Sequence, residues 1–171
     1  GYHGGIGKRN HEPNTKGKTM STTQAKPFTE SFGSYVIEGD SISCELDGFQ
    51  LVARLERDID YHIDSDDCHN EDQSVTGCND EQFARLLDAR KRWFNDEWHY
   101  YGVVIVVSKN GQIIDDYAAG LWAIEGNYPG GDNSYLTEVA NQLAAEAVAS
   151  AKKQIPALVA KLKEQIEALN A

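Results

Sequence analysis

Long hydrophobic runs are missing from this sequence. The longest uninterrupted apolar run is the five residues Val103–Val107, whereas a membrane-spanning helix needs about 20. Residues 1–19 also lack the apolar core that a secretory signal peptide requires. These two absences predict a soluble protein that works without a membrane partner.

Cysteine is also scarce. The three cysteines, Cys44, Cys68 and Cys78, are an odd number at irregular spacing. A secreted disulfide framework has an even number of cysteines, so this pattern favours a reducing cytoplasm.

Known catalytic motifs are missing as well. The sequence contains no G-x-S-x-G, no glycine-rich phosphate loop and no H-E-x-x-H. His99 lies between two aromatic residues, a pattern typical of a packed sheet histidine, and the pairs Asp66–Asp67 and Asp115–Asp116 are adjacent rather than convergent. We therefore expect a protein that is not an enzyme and has no cofactor.

A zinc or calcium site finds little support in the spacing of ligands. His62, Cys68, His69 and Cys78 are four zinc-type ligands within 17 residues, but their spacing matches no common zinc motif. Asp58, Asp60, Asp64 and Asp66 imitate the start of a calcium loop without its required glycine and final glutamate. We predict no dedicated metal site, with these four zinc-type ligands as the weak candidates.

Acidic residues are abundant, and they are concentrated in one part of the chain. The formal net charge is −11, from 27 acids and 16 bases. Residues 1–26 carry +4, residues 27–81 carry −13 and residues 82–171 carry −2. A field of this sign repels nucleic acids and membrane surfaces and attracts basic protein surfaces.

The acids of the central block follow a regular pattern. Apolar residues alternate from Phe49 to Ile63, which predicts one strand with Glu56, Asp58, Asp60 and Asp64 on its opposite face. Acids on one strand face are about 6.8 Å apart, which is comparable to phosphate spacing on DNA. We predict that this face binds a basic partner, and that further acids extend it: Asp66, Asp67, Glu71 and Asp72. A merely solvated polar face is the alternative interpretation.

Basic residues cluster once, on a predicted helix. These are Arg85, Arg90, Lys91 and Arg92. In a protein of net charge −11 we expect them to pair with its own acids, so direct nucleic-acid binding is not predicted.

The pattern of strands and helices predicts an α+β fold. Asp47-Gly48 and Asn110-Gly111 are hairpin turns between apolar alternations, and a helix begins at Asn79, where Gln82 completes a capping box. The order is strand, strand, helix, strand, strand, helix, giving an antiparallel sheet of about four strands with helices on one face.

Three regions follow from this pattern. Residues 1–34 are predicted to be a flexible tail, in which Met20 resembles a natural start and residues 1–19 an added or upstream leader. Residues 35–155 are the α+β domain. Residues 156–171 are a separate amphipathic helix, because Pro156 is expected to break the preceding one.

This C-terminal segment carries an apolar seam with alternating steps of four and three residues. The seam consists of Ile155, Val159, Leu162, Ile166 and Leu169. It either folds back on the sheet or mediates self-association, and the second possibility predicts a homodimer.

Three stretches resemble segments of small accessory proteins of bacteriophages and other mobile elements. They are Asn95–Val104, Gly120–Glu125 and Tyr135–Ala140. The resemblance is limited to about residues 95–148 and implies a host-directed role in a bacterial cytoplasm; it brings no catalytic residues.

Together these features predict a non-enzymatic inhibitor of the anti-defence type. Its acidic face would occupy the nucleic-acid-binding surface of a basic host protein by nucleic-acid mimicry. The alternatives are a structural or regulatory module that oligomerises through the C-terminal helix, and a small zinc-binding protein.

Overall fold

A computed structural model describes residues 26–170 of the chain. Two strands come first, β1 (Ser41–Leu46) and β2 (Phe49–Arg57), followed by two 3-10 turns at Ile63–Ser65 and Asp67–His69. Next come the short helix α1 (Gln73–Thr76) and the helix α2 (Asp80–Phe94). The chain then forms β3 (His99–Lys109), β4 (Gln112–Gly126) and the long helix α3 (Ser134–Asn170).

The four strands form one antiparallel sheet in the order β1-β2-β3-β4. Both predicted hairpin turns are present, and both have two residues with positive φ: Asp47 (54°) with Gly48 (74°), and Asn110 (51°) with Gly111 (79°). This geometry follows the right-handed twist of the strands. The prediction of an α+β fold with a four-stranded antiparallel sheet and a C-terminal helix is confirmed.

The main core lies between one sheet face and the first half of α3. Alternate residues of β2 and β3 are fully buried there, together with apolar residues of α3: Leu51, Ala53, Leu55, Val103, Ile105, Val107, Leu136, Val139, Ala140 and Ala147. β3 is buried on both faces for most of its length, as its continuous apolar run predicts.

A second, smaller core lies at the opposite face, near the start of β3. It contains the buried residues Ile63, Trp98 and Tyr100, with Trp93 of α2 packed against it. Tyr100 and Tyr101 are neighbours on a strand, so their side chains point to opposite faces. Because Tyr101 belongs to the main core, the prediction that both helices lie on one face is wrong.

β2 ends at Arg57, seven residues before the predicted end of the strand. Asp58 turns the chain, because its Oδ1 accepts the Tyr61 amide at 3.1 Å. Ile59, which the alternation assigns to the core, is 84% exposed. The single acidic strand face from Glu56 to Asp64 is therefore replaced by a strand end and a series of turns.

The predicted tail also needs correction where it is described. Phe28 and Phe32 are buried in the main core, and their backbone amides donate to Asn141 Oδ1 at 2.9 Å and Thr137 Oγ1 at 3.0 Å of α3. Residues 26–34 are thus part of the packed domain. The predicted leader over residues 1–19 lies outside the described residues.

α3 continues through Pro156 without a break. Proline removes the hydrogen bond that residue 156 would donate to the Lys152 carbonyl and crowds that carbonyl with its ring, but helical residues on both sides hold the segment. The predicted boundary at residue 156 is therefore wrong. None of the helices within residues 26–170 is long and apolar enough to cross a membrane.

Candidate functional site

Two 3-10 turns bring an acid and a histidine to the surface of the second core. Asp66 caps the second turn, because its Oδ1 accepts the Cys68 amide at 2.9 Å. The turn directs the His69 side chain inward, and His69 is only 5% exposed. From α2, Arg90 Nη1 donates to the His69 carbonyl at 2.8 Å and so anchors the turn.

His69 lies between two carboxylates from distant parts of the chain. Its Nδ1 is 2.9 Å from Asp66 Oδ2, and its Nε2 is 3.3 Å from Glu125 Oε1 of β4. The Tyr128 hydroxyl is 3.4 Å from the same Nε2. The Tyr100 hydroxyl donates to Asp66 Oδ2 at 2.9 Å. We call Asp66, His69, Tyr100, Glu125 and Tyr128 the His69 cluster.

The sheet register explains how Glu125 reaches this cluster. Glu125 is paired directly with Tyr100, so the two side chains emerge on the same face. Two residues before Glu125 the pairing is irregular: Trp122 and Ala123 together oppose Gly102, which makes a β-bulge with Ala123 at a φ of 59°. Bulges of this kind redirect the side chains that follow them. Asp58 Oδ2 accepts the Ala123 amide at 3.0 Å and holds the bulge in place.

The pKa values of the two acids in the cluster are shifted in opposite directions. Burial disfavours the ionised form of Asp66, but hydrogen bonds from His69, Tyr100 and the Cys68 amide outweigh it and hold the pKa of Asp66 below its usual range. Burial raises the pKa of Glu125, and the nearby Asp66 charge raises it further, while His69 opposes both. Burial and the bond to Asp66 also raise the pKa of Tyr100, so its hydroxyl remains a donor.

A cavity of about 370 Å³ opens beside this cluster. Its lining includes three members of the cluster, Asp66, Glu125 and Tyr128, and also Asp132, Asn133 and Ser134 near the start of α3. A convergent set of carboxylates, an imidazole and phenols at a cavity can bind a cation or a polar ligand.

The predicted partner-binding acids do not form one row. Glu56 pairs with Arg54 on its own strand, and Asp58 is engaged by the Tyr61 and Ala123 amides. Asp64 and Glu71 both bind Arg90, at 2.6 Å and 3.1 Å.

The remaining predicted acids have different environments. Asp66 belongs to the His69 cluster, and Asp72 caps α1 by accepting the Ser74 amide at 2.9 Å. Asp60 and Asp67 are exposed, and within residues 26–170 their side chains make no hydrogen bond or ion pair.

The four zinc-type ligands singled out in the sequence are not brought together. His62 packs on Trp93 with ring centroids 4.6 Å apart, and the Cys78 carbonyl accepts from Gln73. Within residues 26–170, His69 is the only one of the four that belongs to a group of side chains able to hold a metal ion. The other members of that group are Asp66 and Glu125. Sequence reasoning missed Glu125 because it lies 56 residues after His69, and only the pairing of β3 with β4 places it there.

The basic residues of α2 mostly pair with acids, as the net charge predicts. Arg90 binds Asp64 and Glu71, Arg92 Nε binds Glu97 at 2.7 Å, and Arg85 binds Glu81.

No family model matches this chain, and the comparisons with curated proteins and with solved structures find no match either.

Proposed function

We propose that this chain is a non-enzymatic acidic binding protein that occupies the nucleic-acid-binding surface of a basic host protein. The observation that carries the proposal is the composition and conformation of residues 58–81, which we call the acidic segment. This segment has nine acids and no lysine or arginine: Asp58, Asp60, Asp64, Asp66, Asp67, Glu71, Asp72, Asp80 and Glu81.

The acidic segment is folded rather than disordered, although it is rich in like charges. Several of its acids hold its turns by accepting backbone amides: Asp58 from Tyr61, Asp66 from Cys68 and Asp72 from Ser74. Hydrogen bonds to carboxylates are stronger than those between neutral groups and offset part of the mutual repulsion. The carboxylates are thereby presented in a defined arrangement, which lowers the entropy cost of binding.

Charge remains available on the outer side of this segment. Asp60, Asp67 and Asp72 are exposed, and the side chains of Asp64 and Glu71 are 61% and 71% exposed despite their contact with Arg90. Arg90 itself is buried, so its guanidinium cannot contact an approaching partner directly. The spacing of these carboxylates is set by turns and not by a strand, but their density still favours a surface that normally binds phosphates.

The resemblance over residues 95–148 supports a host-directed role. Proteins of phages and mobile elements act inside a bacterial cytoplasm, where nucleic-acid-handling defence factors present basic channels. We therefore propose inhibition of such a factor by nucleic-acid mimicry as the specific form of this function.

The test compares two variants of equal net charge. The first carries Asp60→Asn, Asp67→Asn and Asp72→Asn, since asparagine still caps α1. The control carries Glu45→Gln, Asp116→Asn and Glu138→Gln, which are exposed acids outside the acidic segment. Each protein is immobilised, loaded with bacterial lysate and eluted first with duplex DNA and then with salt.

We expect wild type and control to capture the same DNA-elutable proteins, and the first variant to capture several-fold less. Because long-range charge drives the association, capture by wild type should fall steeply as salt rises. Equal capture by all three proteins would show that the acidic segment is only a solvated surface.

The second part of α3 favours a second candidate function, self-association as a structural or regulatory module. The last fully buried residue of α3 is Ala151, and Ile155 still packs against the main core; beyond it Val159, Ile166 and Leu169 are 42%, 58% and 87% exposed. Exposed apolar residues at heptad spacing are typical of a helix that pairs with another helix. Light scattering of the full chain and of a chain ending at Gln154 tests this. A dimer that becomes a monomer on truncation supports it, and one shared state contradicts it.

A further inference from the structure

Two electron-pair acceptors face each other inside the His69 cluster. Asp66 Oδ2 accepts the Tyr100 hydroxyl and also lies 2.9 Å from His69 Nδ1, so Nδ1 is the nitrogen that donates. In the neutral imidazole the other nitrogen, Nε2, then carries a lone pair. It points toward Glu125 Oε1 at 3.3 Å, and a carboxylate oxygen is an acceptor as well. This contact is favourable when a proton or a metal ion lies between the two atoms.

The distances suit a metal ion in that position. Bonds from zinc to nitrogen and oxygen are about 2.0–2.2 Å, so two ligand atoms of a tetrahedral site are about 3.3 Å apart. The separation of Nε2 and Oε1 has this value. One ligand atom from each of Asp66, His69 and Glu125 lies within 4.8 Å of the others, so the three groups are close enough to serve one ion as ligands or as direct support of a ligand.

We propose that His69 Nε2 and Glu125 bind one divalent transition-metal ion of the zinc type, with Asp66 as the carboxylate that orients His69. A carboxylate that accepts from the outer nitrogen of a ligand histidine is the usual support of such sites. Asp66 is therefore a positioning residue, and the Tyr100 hydroxyl fixes it in turn. This site is independent of the partner proposed above, since it lies on the inner side of the acidic segment.

The donor set selects the class of ion. An imidazole nitrogen with a carboxylate suits zinc and its first-row neighbours, whereas calcium and magnesium prefer oxygen ligands alone. His69 is buried and held by Arg90 through its carbonyl, so its ring is preorganised. The exposed acids Asp60, Asp67 and Asp72 lack such a nitrogen within residues 26–170 and bind cations without this selectivity. His62 Nδ1 lies 3.3 Å from Asp64 Oδ2, but it already accepts the Asp64 amide and both side chains are exposed.

The neighbouring cavity gives the ion room for further ligands. It is about 370 Å³ and is lined by Glu125, Tyr128 and Asp132, so water or an anionic oxygen of a small ligand can complete the coordination. The ion would also join the turn at residues 66–69 to β4, two segments that are far apart in sequence.

The test measures binding of zinc chloride by calorimetry to the full chain after removal of metal with a chelator. We expect about one ion per chain with micromolar affinity, and calcium at the same concentration should not compete. Cobalt should give the visible absorption of a site with nitrogen and oxygen ligands. Zinc should also raise the melting temperature as its concentration rises above the dissociation constant.

Variants identify the ligands. Glu125→Gln, at a half-buried strand position, and His69→Gln should each weaken zinc binding tenfold or more. Asp66→Asn should weaken it about tenfold while the cobalt spectrum keeps its shape, because this residue orients a ligand without binding the ion. Circular dichroism shows which variants are folded, and Glu125→Gln is decisive if His69→Gln unfolds the domain.

The matched control is the double variant Asp60→Asn and Asp67→Asn, which removes two exposed acids and leaves the cluster intact. It should bind zinc like wild type. If this control variant no longer binds zinc, or if calcium competes with zinc, then zinc binding is adventitious and the proposed site is wrong. Three further results would overturn the assignment of the ligands. They are wild-type zinc affinity in a folded Glu125→Gln variant, no zinc binding by the wild-type chain, and a thiolate-to-cobalt absorption band from Cys68.

Discussion

Asp58 illustrates how one acidic side chain can hold two segments at once. Its Oδ1 accepts the Tyr61 amide, and its Oδ2 accepts the Ala123 amide of the β4 bulge at 3.0 Å. Asp60, two residues later, is exposed and makes no hydrogen bond within the described part of the chain. The two acids are close in sequence and have different physical roles.

Asp58→Asn should destabilise the domain by about 1–2 kcal/mol. An asparagine has one acceptor oxygen, so one of the two amides would face an NH₂ group and lose its partner. Asp60→Asn is the matched control and should change stability by less than about 0.5 kcal/mol. Urea unfolding of the two variants measures the difference, and equal stabilities would contradict the bridging role.

The ionisation of the Cys44 thiol makes the stability of the fold depend on pH. Its thiol is packed against the main core, and burial raises the pKa of Cys44 from 9.0 to about 11. The folded chain therefore holds this proton more tightly than the unfolded chain. Its contribution to the free energy of unfolding is fully present below pH 9 and is lost as the pH rises toward 11.

Alkylation of Cys44 should follow this pKa. At pH 8.5 iodoacetamide should modify Cys44 in the folded chain much more slowly than in urea, because the thiolate is the reactive form. The folded rate should keep rising up to about pH 11. Mass spectrometry of the Cys44 peptide measures both rates, and equal rates at pH 8.5 would show that the thiol is not protected.

At the scale of elements, α2 holds the acidic segment through one buried side chain. Arg90 donates to the His69 carbonyl, Asp64 and Glu71, which are 21, 26 and 19 residues away in sequence. The helix itself starts with a complete capping box between Asn79 and Gln82, as its sequence predicts. α2 thus acts as a rigid support for turns that have little apolar surface of their own.

Arg90→Met should destabilise the domain by about 2 kcal/mol. Hydrogen bonds to charged groups contribute about 1.5–3 kcal/mol each, but the carboxylates of Asp64 and Glu71 are solvent-exposed and are rehydrated when the arginine is lost. Amide hydrogen exchange should accelerate over residues 64–71 while that of β3 changes little. Arg85→Met is the control, since its pair with Glu81 is exposed on the same helix.

At the scale of the whole molecule, the charge distribution opposes the compact state. The net charge is −11, and residues 27–81 alone carry −13. Such self-repulsion is screened by salt, with a screening length of about 10 Å at 0.1 M.

Moderate salt should therefore stabilise this protein. We expect the melting temperature to rise by a few degrees between low salt and about 0.2 M sodium chloride, because an exposed ion pair contributes little and the net charge of −11 makes repulsion among acids the larger effect. The Asp60→Asn, Asp67→Asn and Asp72→Asn variant should melt higher at low salt and show a smaller rise. A melting temperature that falls with salt would mean that ion pairs dominate.

The sequence by itself determined the sheet and its two hairpins. Asp47-Gly48 and Asn110-Gly111 adopt the positive φ angles that two-residue turns require, so local chemistry was sufficient to place both turns and the strand pairs next to them. Alternation identified Leu51, Ala53 and Leu55 as core residues, and all three are fully buried. The start of α2 was also predicted from local sequence, because Asn79 and Gln82 form the expected capping box.

Only the tertiary structure decided where these local patterns stop. The alternation continues past Arg57, but Asp58 finds stronger partners in the Tyr61 and Ala123 amides than an extended strand could offer. Residues 26–34 have no periodicity, and they are ordered because Phe28 and Phe32 fill the gap beside α3. Pro156 is tolerated because one lost backbone bond is a small fraction of a 37-residue helix.

The His69 cluster could not be predicted from local sequence patterns, and the reason is geometric. Sequence reasoning singled out His69 and Asp66, but grouped them with Cys68, Cys78 and a row of acids. Glu125 and Tyr100 join them because antiparallel pairing places these two residues opposite each other, while the turn at Asp67–His69 folds the histidine back onto them. Contacts between residues 56 positions apart depend on strand register and turn direction, and only the packed chain sets both.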